Sequence, residues 1–247
     1  MPLRISRRST SGGSRAARTA QLQPLAEAPQ LGARVYQSLL SGIISGTIEP
    51  GASLRPDAIA EQLNVSTTPV REALVMLESD RLAIKRPYQG WFVRDFSEPE
   101  VREMYELRAS LECLAVRLAC QRITKEELRN LRSLQARGVA ALASGDMDAY
   151  RIYNRDLHAS IVGSARNSYL STAMQQLSLQ SQMLAARTIR VAGRPLRAIS
   201  EHERLIECTA RGDSNRAEQV MEQHILGALK DVLKHGKRSD TAPESDT

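Results

Sequence analysis

Ser66-Thr67-Thr68-Pro69-Val70-Arg71-Glu72-Ala73-Leu74 is the stretch on which the fold turns. Ser66 or Thr67 can cap a helix, and Pro69 falls in the first turn, where its missing N–H sacrifices no helical hydrogen bond. Val70, Leu74 and Leu77 then recur at helical spacing as an inward stripe. Upstream, Val35, Leu39, Leu40, Ile43 and Ile44 predict a helix that ends before Pro50-Gly51, while Ile59, Leu63 and Val65 bracket a shorter one. Asn64 can take the left-handed conformation that ends this second helix and turns the chain sharply. Downstream, Leu82 to Val93 alternate apolar and polar residues around Pro87 and Gly90, as a two-stranded wing would. Helix, helix, turn, helix and wing in that order predict a winged helix-turn-helix, with double-stranded DNA as its partner.

In such a unit the third helix enters the major groove, so its first residues meet base edges and phosphates. Ser66, Thr67, Thr68 and Arg71 occupy that start. Hydroxyls and free helix N-terminal amides bind phosphate, and arginine can bond guanine bidentately. The competing account is that the hydroxyls only cap and that Arg71 pairs with an acid one turn away. On the wing, Lys85, Arg86, Gln89 and Gly90 are candidates for backbone or minor-groove contact, against ordinary hairpin solvation.

These residues resemble the GntR family of bacterial winged-helix regulators, in its FadR-like branch. The likeness runs from Pro50-Gly51-Ala52-Ser53-Leu54 through Val65 to Leu74, Leu77-Glu78 and Arg86-Pro87-Tyr88-Gln89-Gly90-Trp91-Phe92-Val93. It continues into Met104-Tyr105-Glu106-Leu107-Arg108-Ala109-Ser110-Leu111-Glu112, similar to the opening of an FCD-type effector domain, and covers about residues 33 to 232. Two departures stand out: Asp57 and Thr67 occupy positions where the family usually places arginine. Arg71 keeps its place.

Charge adds little to the DNA argument. The 34 Lys and Arg against 28 Asp and Glu leave a net +6, but residues 1–30 hold five Arg and one Glu, whereas residues 33–94 hold seven basic and six acidic side chains. The excess is in the tail, so motif geometry has to carry the inference. Residues 1–28 have almost no large apolar side chains and are expected to be a disordered tail. Residues 29–94 are the expected winged domain, 95–235 a helical ligand-binding domain, and 236–247 a second disordered tail.

The fold class is therefore mainly α: a winged helix-turn-helix with a small β wing, then an all-α bundle. Ser97-x-x-Glu100 and Thr124-x-x-Glu127 are capping boxes, and Gly145-Asp146 and Gly212-Asp213 are stop-and-start signals. They divide the second domain into helices over 98–121, 125–144, 147–163, 168–191, 197–211 and 215–234. Cys113, Cys120 and Cys208 are odd in number, lack CxxC spacing and lie in apolar helical patterns, which predicts buried, reduced thiols and a cytoplasmic protein. No run of about 18 apolar residues offers a membrane span, and Arg7-Arg8 is not followed by the apolar stretch of an export signal.

The chain has only four histidines, and His158, His202 and His224 fall on inward stripes of three different helices; His235 is the fourth. One buried imidazole is usually a satisfied core residue, but three on neighbouring stripes each need a partner. A shared divalent cation, zinc or nickel, would satisfy all three, and Asn154, one turn before His158, could complete a four-ligand set. The resemblance implies the same: FCD-type domains hold metal through an Asp, a His four residues later and two further His, with Asn154 here at the aspartate position. It also implies a small organic acid effector neutralised by a cationic side chain. Arg108 is the candidate, against a salt bridge to Glu112, and Arg187 and Arg190 could line the same pocket.

The expected whole is a homodimeric transcriptional regulator, a repressor released by its effector. Alternatives are a metal-responsive regulator and a metal-dependent helical enzyme fused to a DNA-binding domain. Against the enzyme, no general base stands beside the histidines: Asp156 lies on the opposite face from His158, and Glu201 and Glu203 flank His202 rather than sharing its face.

Overall fold

The computed structural model describes residues 30–188, 191 and 193–239; the expected N-terminal tail and residues 240–247 lie outside them. The chain runs α1 (Gln30–Ser45), β1 (Ser53–Leu54), α2 (Pro56–Leu63), α3 (Thr67–Ser79), β2 (Ala83–Arg86) and β3 (Gly90–Val93). It continues through α4 (Glu98–Arg122), α5 (Lys125–Ser144), α6 (Met147–Ser164), α7 (Ser168–Thr188), α8 (Arg194–Arg211) and α9 (Ser214–Ser239).

In the first domain, Val35, Leu39 and Ile43 of α1 pack with the fully buried Val70, Leu74 and Leu77 of α3. Asn64 ends α2 in the left-handed region, at φ 51° and ψ 52°, as its short amide side chain permits. Ser66 is the capping residue of α3 by its extended backbone, but its hydroxyl makes no capping bond. The wing has a third strand that the sequence reading lacked. β1 pairs with β3 through Ser53 opposite Phe92 and Leu54 opposite Trp91, giving the antiparallel order β1-β3-β2. Two residues are too few for alternation to reveal.

Arg94, just past β3, reaches Glu100 in the first turn of α4 at 2.6 Å and so ties the wing to the second domain. Both capping boxes form: Glu100 Oε2 accepts the Ser97 N–H at 2.9 Å, and Glu127 Oε2 accepts the Thr124 N–H at 2.8 Å. Gly145 and Gly212 close α5 and α8 at φ 75° and 70°, where a side chain would be strained. The six helices start and stop close to expectation. α8 begins three residues early because Pro195 suits a first turn, and α9 runs through Ser239, past the expected domain end at 235.

The second domain is a bundle in which α4 lies along α9, α5 packs on α6 and α8, and α7 closes against α4, α6 and α9. Cys113, Cys120 and Cys208 are free, but half-buried rather than buried, because each sits at the margin of its helix's apolar stripe. Burial, with the carboxylates of Glu222 and Glu218, pushes the Cys113 thiol up to about 11, so it stays protonated. No helix among the described residues is long and apolar enough to cross a membrane.

Candidate functional site

On the first domain, Ser66, Thr68 and Arg71 are exposed and Thr67 half-buried, all at the start of α3. Arg71 makes no ion pair among the described residues. Lys85 lies over the Trp91 ring at 5.5 Å and Arg86 over the Phe92 ring at 4.6 Å, so aromatic faces hold both cations along the wing. Gln89 and Gly90 close the hairpin beyond them, with Tyr88 at φ 61° and Gly90 at φ 93°.

In the second domain the three inward histidines meet. His158 comes from α6, His202 from α8 and His224 from α9; they are 7%, 0% and 3% exposed, with one nitrogen of each lying within 4.8 Å of the others. Their ring centroids are 5.2, 5.2 and 4.6 Å apart. Burial, then the neighbouring imidazoles, hold His202 and His224 well below the usual histidine range, so both are neutral near pH 7.

The hydrogen bonds behind the rings decide what the site can do. His158 Nδ1 bonds the Glu112 carboxylate, and His224 Nδ1 bonds Glu201 Oε2 at 2.7 Å. An ionised carboxylate only accepts, so both rings carry their hydrogen on Nδ1. His202 Nδ1 lies 2.8 Å from the Tyr153 hydroxyl, which itself donates to Gln135 Oε1 at 2.5 Å. Gln135 is oriented by its Nε2, which donates to the Ile199 carbonyl at 2.9 Å. The Tyr153 oxygen must therefore accept from His202, which again places the hydrogen on Nδ1.

All three Nε2 atoms consequently turn lone pairs toward one point. His202 Nε2 and His224 Nε2 are 3.3 Å apart with no hydrogen between them, and His158 Nε2 is buried without a partner among the described residues. Converging lone pairs repel unless a cation sits among them, and imidazoles held through Nδ1 by carboxylates and a hydroxyl are the arrangement that metal-binding histidines adopt. The donor set fits a divalent metal of the zinc or nickel kind.

Glu112, Tyr153 and Glu201 were not expected as the partners that hold the histidines. Glu201 does flank His202 in sequence, but it reaches across to His224, so the inference that it stands apart from the histidines is corrected. Gly138 on α5 makes room for the Tyr153 ring: a Cβ there would stand 2.4 Å from Tyr153 Cδ1. Arg108 makes the salt bridge that stood as the alternative to effector binding. Its Nε donates to Glu112 Oε1 at 2.6 Å, while the residue also lines a cavity of about 310 Å³ beside His158. Burial would raise the Glu112 carboxyl, but Arg108 and His158 outweigh it and hold the acid well below the usual range.

Asn154 is half-buried and lines the same cavity, whose far wall is α7, with Ser171, Gln175, Ser178, Ser181 and Gln182. The Ser181 hydroxyl is buried and has no partner among the described residues. Arg187 belongs to α7, but its side chain, like that of His235, and Arg190 lie outside the described residues.

A winged helix-turn-helix joined to a helical bundle that holds a cavity is the build of a DNA-binding regulator. Residues 31–93 match the bacterial regulatory proteins of the gntR family and residues 103–227 match the FCD domain. The chain belongs to the GntR family, and it is a DNA-binding transcriptional regulator with an FCD effector domain.

Its relatives are regulators, not enzymes. It is 28% identical over 210 residues to the HTH-type transcriptional regulator YdhC of Bacillus subtilis, covering 83% of this chain and 93% of that protein. It is 30% identical over 199 residues, 79% of this chain and 86% of the other, to a Paenarthrobacter nicotinovorans protein named "Probable D-xylose utilization operon transcriptional repressor". The solved structure of Escherichia coli McbR/YncC shares the fold, with a TM-score of 0.73 at 24% identity over 84% of this chain and 99% of that one.

Proposed function

We propose that the chain is a homodimeric repressor whose operator affinity is lowered by a small carboxylate effector bound beside a divalent metal ion, zinc or nickel, in the helical domain. The observation that carries the metal is His158 Nε2, a buried nitrogen without a partner beside two imidazoles whose own Nε2 atoms converge on it. Asn154, one turn earlier on α6, is the fourth ligand of this reading; being uncharged, it leaves more positive charge for an anionic ligand than an aspartate would. A bound metal would supply a Lewis-acid anchor for carboxylate oxygen.

Arg108 is the second anchor. Glu112 fixes its Nε, so the guanidinium is held at the cavity, where it can meet a carboxylate with its remaining donors. The unpartnered Ser181 hydroxyl beside Met174 and Ala185 suits an acid that carries both a hydroxyl group and an apolar part. A cavity of this size is at the small end of ligand pockets, which run from roughly 300 Å³ upward.

At the output end, Ser66, Thr67, Thr68 and Arg71 are assigned to the major groove, and Lys85, Arg86, Gln89 and Gly90 to the flanking backbone and minor groove. Two such heads related by a two-fold axis match a palindromic operator, which is the reason for a homodimer. The printed name of the Paenarthrobacter relative supports repression, and a DNA partner in a bacterial family supports a cytoplasmic location.

The test is a thermal-shift screen of the full chain against carboxylic acids, with and without chelator, alongside metal analysis of His158→Ala and His224→Ala. Acids should stabilise only the metal-loaded protein, and both variants should lose the metal. Variants that hold as much metal as the wild type would sink the shared site. Metal alone changing DNA affinity, with no acid stabilising, would make the chain a metal sensor instead.

A further inference from the structure

The last turn of a helix leaves four carbonyls without helical partners. In α1 the Gly42 carbonyl takes the Ile48 N–H and the Ser45 hydroxyl, and the Ile43 carbonyl takes the Gly46 N–H. The Ile44 carbonyl is satisfied from the other domain, by Arg151 Nη1 of α6 at 3.1 Å. The other Nη of Arg151 is held by Asp148, one turn earlier on α6, and only 24% of the arginine side chain is exposed. The guanidinium thus has a partner on each side, the Ile44 carbonyl of α1 and Asp148 of its own helix.

Arg151 precedes Asn154 by three residues and His158 by seven. Those offsets put the three on one stripe of α6, with about 10 Å of helix between Arg151 and His158. Arg151 does not itself line the cavity. On the other side of the contact, α1 carries the recognition helix. Its apolar stripe packs on α3, and the Tyr36 hydroxyl donates to Asp80, the C-cap of α3, at 2.5 Å. α1 also packs against α7, which with α4 and α6 borders the cavity.

We infer that Arg151 is the positioning residue that couples the ligand-holding stripe of α6 to α1, and through α1 to the orientation of α3 on DNA. The inference rests on Asn154 and His158 being ligand residues, as proposed above. A ligand shifts a conformational equilibrium only through a difference in its affinity for the two states. α6 supplies that difference here: a displacement that brings Asn154 and His158 onto a shared ion moves Arg151 with them. Because the guanidinium is the sole bond to the Ile44 carbonyl among the described residues, the last turn of α1 must follow it or lose the contact.

The experiment uses the full chain, with zinc as the probe, and compares wild type, Arg151→Met and Arg151→Lys. Calorimetry reads zinc affinity, and hydrogen exchange reads the backbone amides of residues 42–48. In the wild type, zinc should change exchange there by about threefold or more, a local opening effect. Arg151→Met should bind zinc within about threefold of the wild type, the most that such a coupling supplies, and lose that change, and Arg151→Lys should recover part of it. Asp148→Asn, which frees the second anchor while keeping the arginine, should weaken the change and guards against a misfolded methionine variant.

A zinc-induced change that survives in Arg151→Met, or is missing from a wild type that binds zinc, overturns the coupling and leaves the metal site standing. A large loss of zinc affinity in Arg151→Met would make the arginine part of the site and also overturns it. A wild type that binds no zinc removes the site and the coupling together, and calorimetry alone reports that outcome.

Discussion

Replacing Glu112 by glutamine tests two roles of one side chain at once. Glu112 is 1% exposed, and its two oxygens are divided between Arg108, at 2.6 Å, and His158 Nδ1. Glutamine keeps the shape but offers one acceptor, and its amide turns N–H groups toward Arg108 or His158, both of which donate. Arg108, itself 8% exposed, is left as a buried charge without its counter-ion. Breaking a buried pair from one side costs about 3–5 kcal/mol, and for a chain of this size each kcal/mol lowers Tm by roughly 2–4 °C. Glutamine's retained acceptor favours the lower figure, so Tm should fall by roughly 6–12 °C.

Zinc affinity should fall as well, by about 10- to 100-fold, the usual loss when the partner that orients a metal-binding imidazole is removed. The double variant Arg108→Met/Glu112→Met separates the two effects. Apolar side chains in place of both charges should restore most of the stability, since such replacements are often neutral or better, while zinc affinity stays low because His158 still lacks its anchor. Scanning fluorimetry gives Tm and calorimetry gives zinc affinity. A Glu112→Gln protein with Tm within about 2 °C of wild type and unchanged zinc binding would refute the reasoning.

Three further changes probe other parts of the account. Arg71→Ala should weaken operator binding by about 1–3 kcal/mol, roughly 5- to 150-fold in Kd by fluorescence anisotropy; unchanged affinity would remove Arg71 from the interface. Gly138→Ala would force a methyl to within 2.4 Å of Tyr153 Cδ1, so it should destabilise by about 1–3 kcal/mol and weaken zinc binding by turning Tyr153 away from His202; a variant that keeps zinc affinity contradicts that link. The hydroxyl and N–H of Ser97, with Arg94, lower the Glu100 carboxyl from 4.5 to about 2. A depressed folded value means its stabilisation is complete above pH 4.5 and is lost as pH falls toward 2, so Glu100→Gln should flatten the acid limb of a Tm-against-pH curve in that window, and an unaltered limb would argue against it.

What could be read in advance follows from the range of the signals. Helices in the bundle were legible because Thr124 and Glu127, or Ser97 and Glu100, act within one turn, and because Gly145 and Gly212 mark stops by a local backbone requirement. The inward faces of His158, His202 and His224 were legible for the same reason, since a 3.6-residue period assigns a face without knowledge of the partner. The atoms that hold the imidazoles were not. Glu112 is 46 residues from His158, Tyr153 is 49 from His202, and Glu201 is 23 from His224. Each pair depends on how one helix is rotated against another, which periodicity leaves open. Glu201 shows the limit well, because its position off the His202 stripe was read correctly and the helix it faces was not. Arg151 was invisible for a related reason: an arginine on α6 gains its meaning from the end of a helix in another domain.

The most direct test of the central claim is the operator affinity of the metal-loaded full chain, measured by anisotropy on DNA from its own promoter, with and without an acid that stabilises the protein in the thermal-shift screen. The account predicts tight binding without the acid and a loss of about tenfold or more with it, the scale of an ordinary coupling free energy. Operator affinity that stays the same at saturating acid would contradict it.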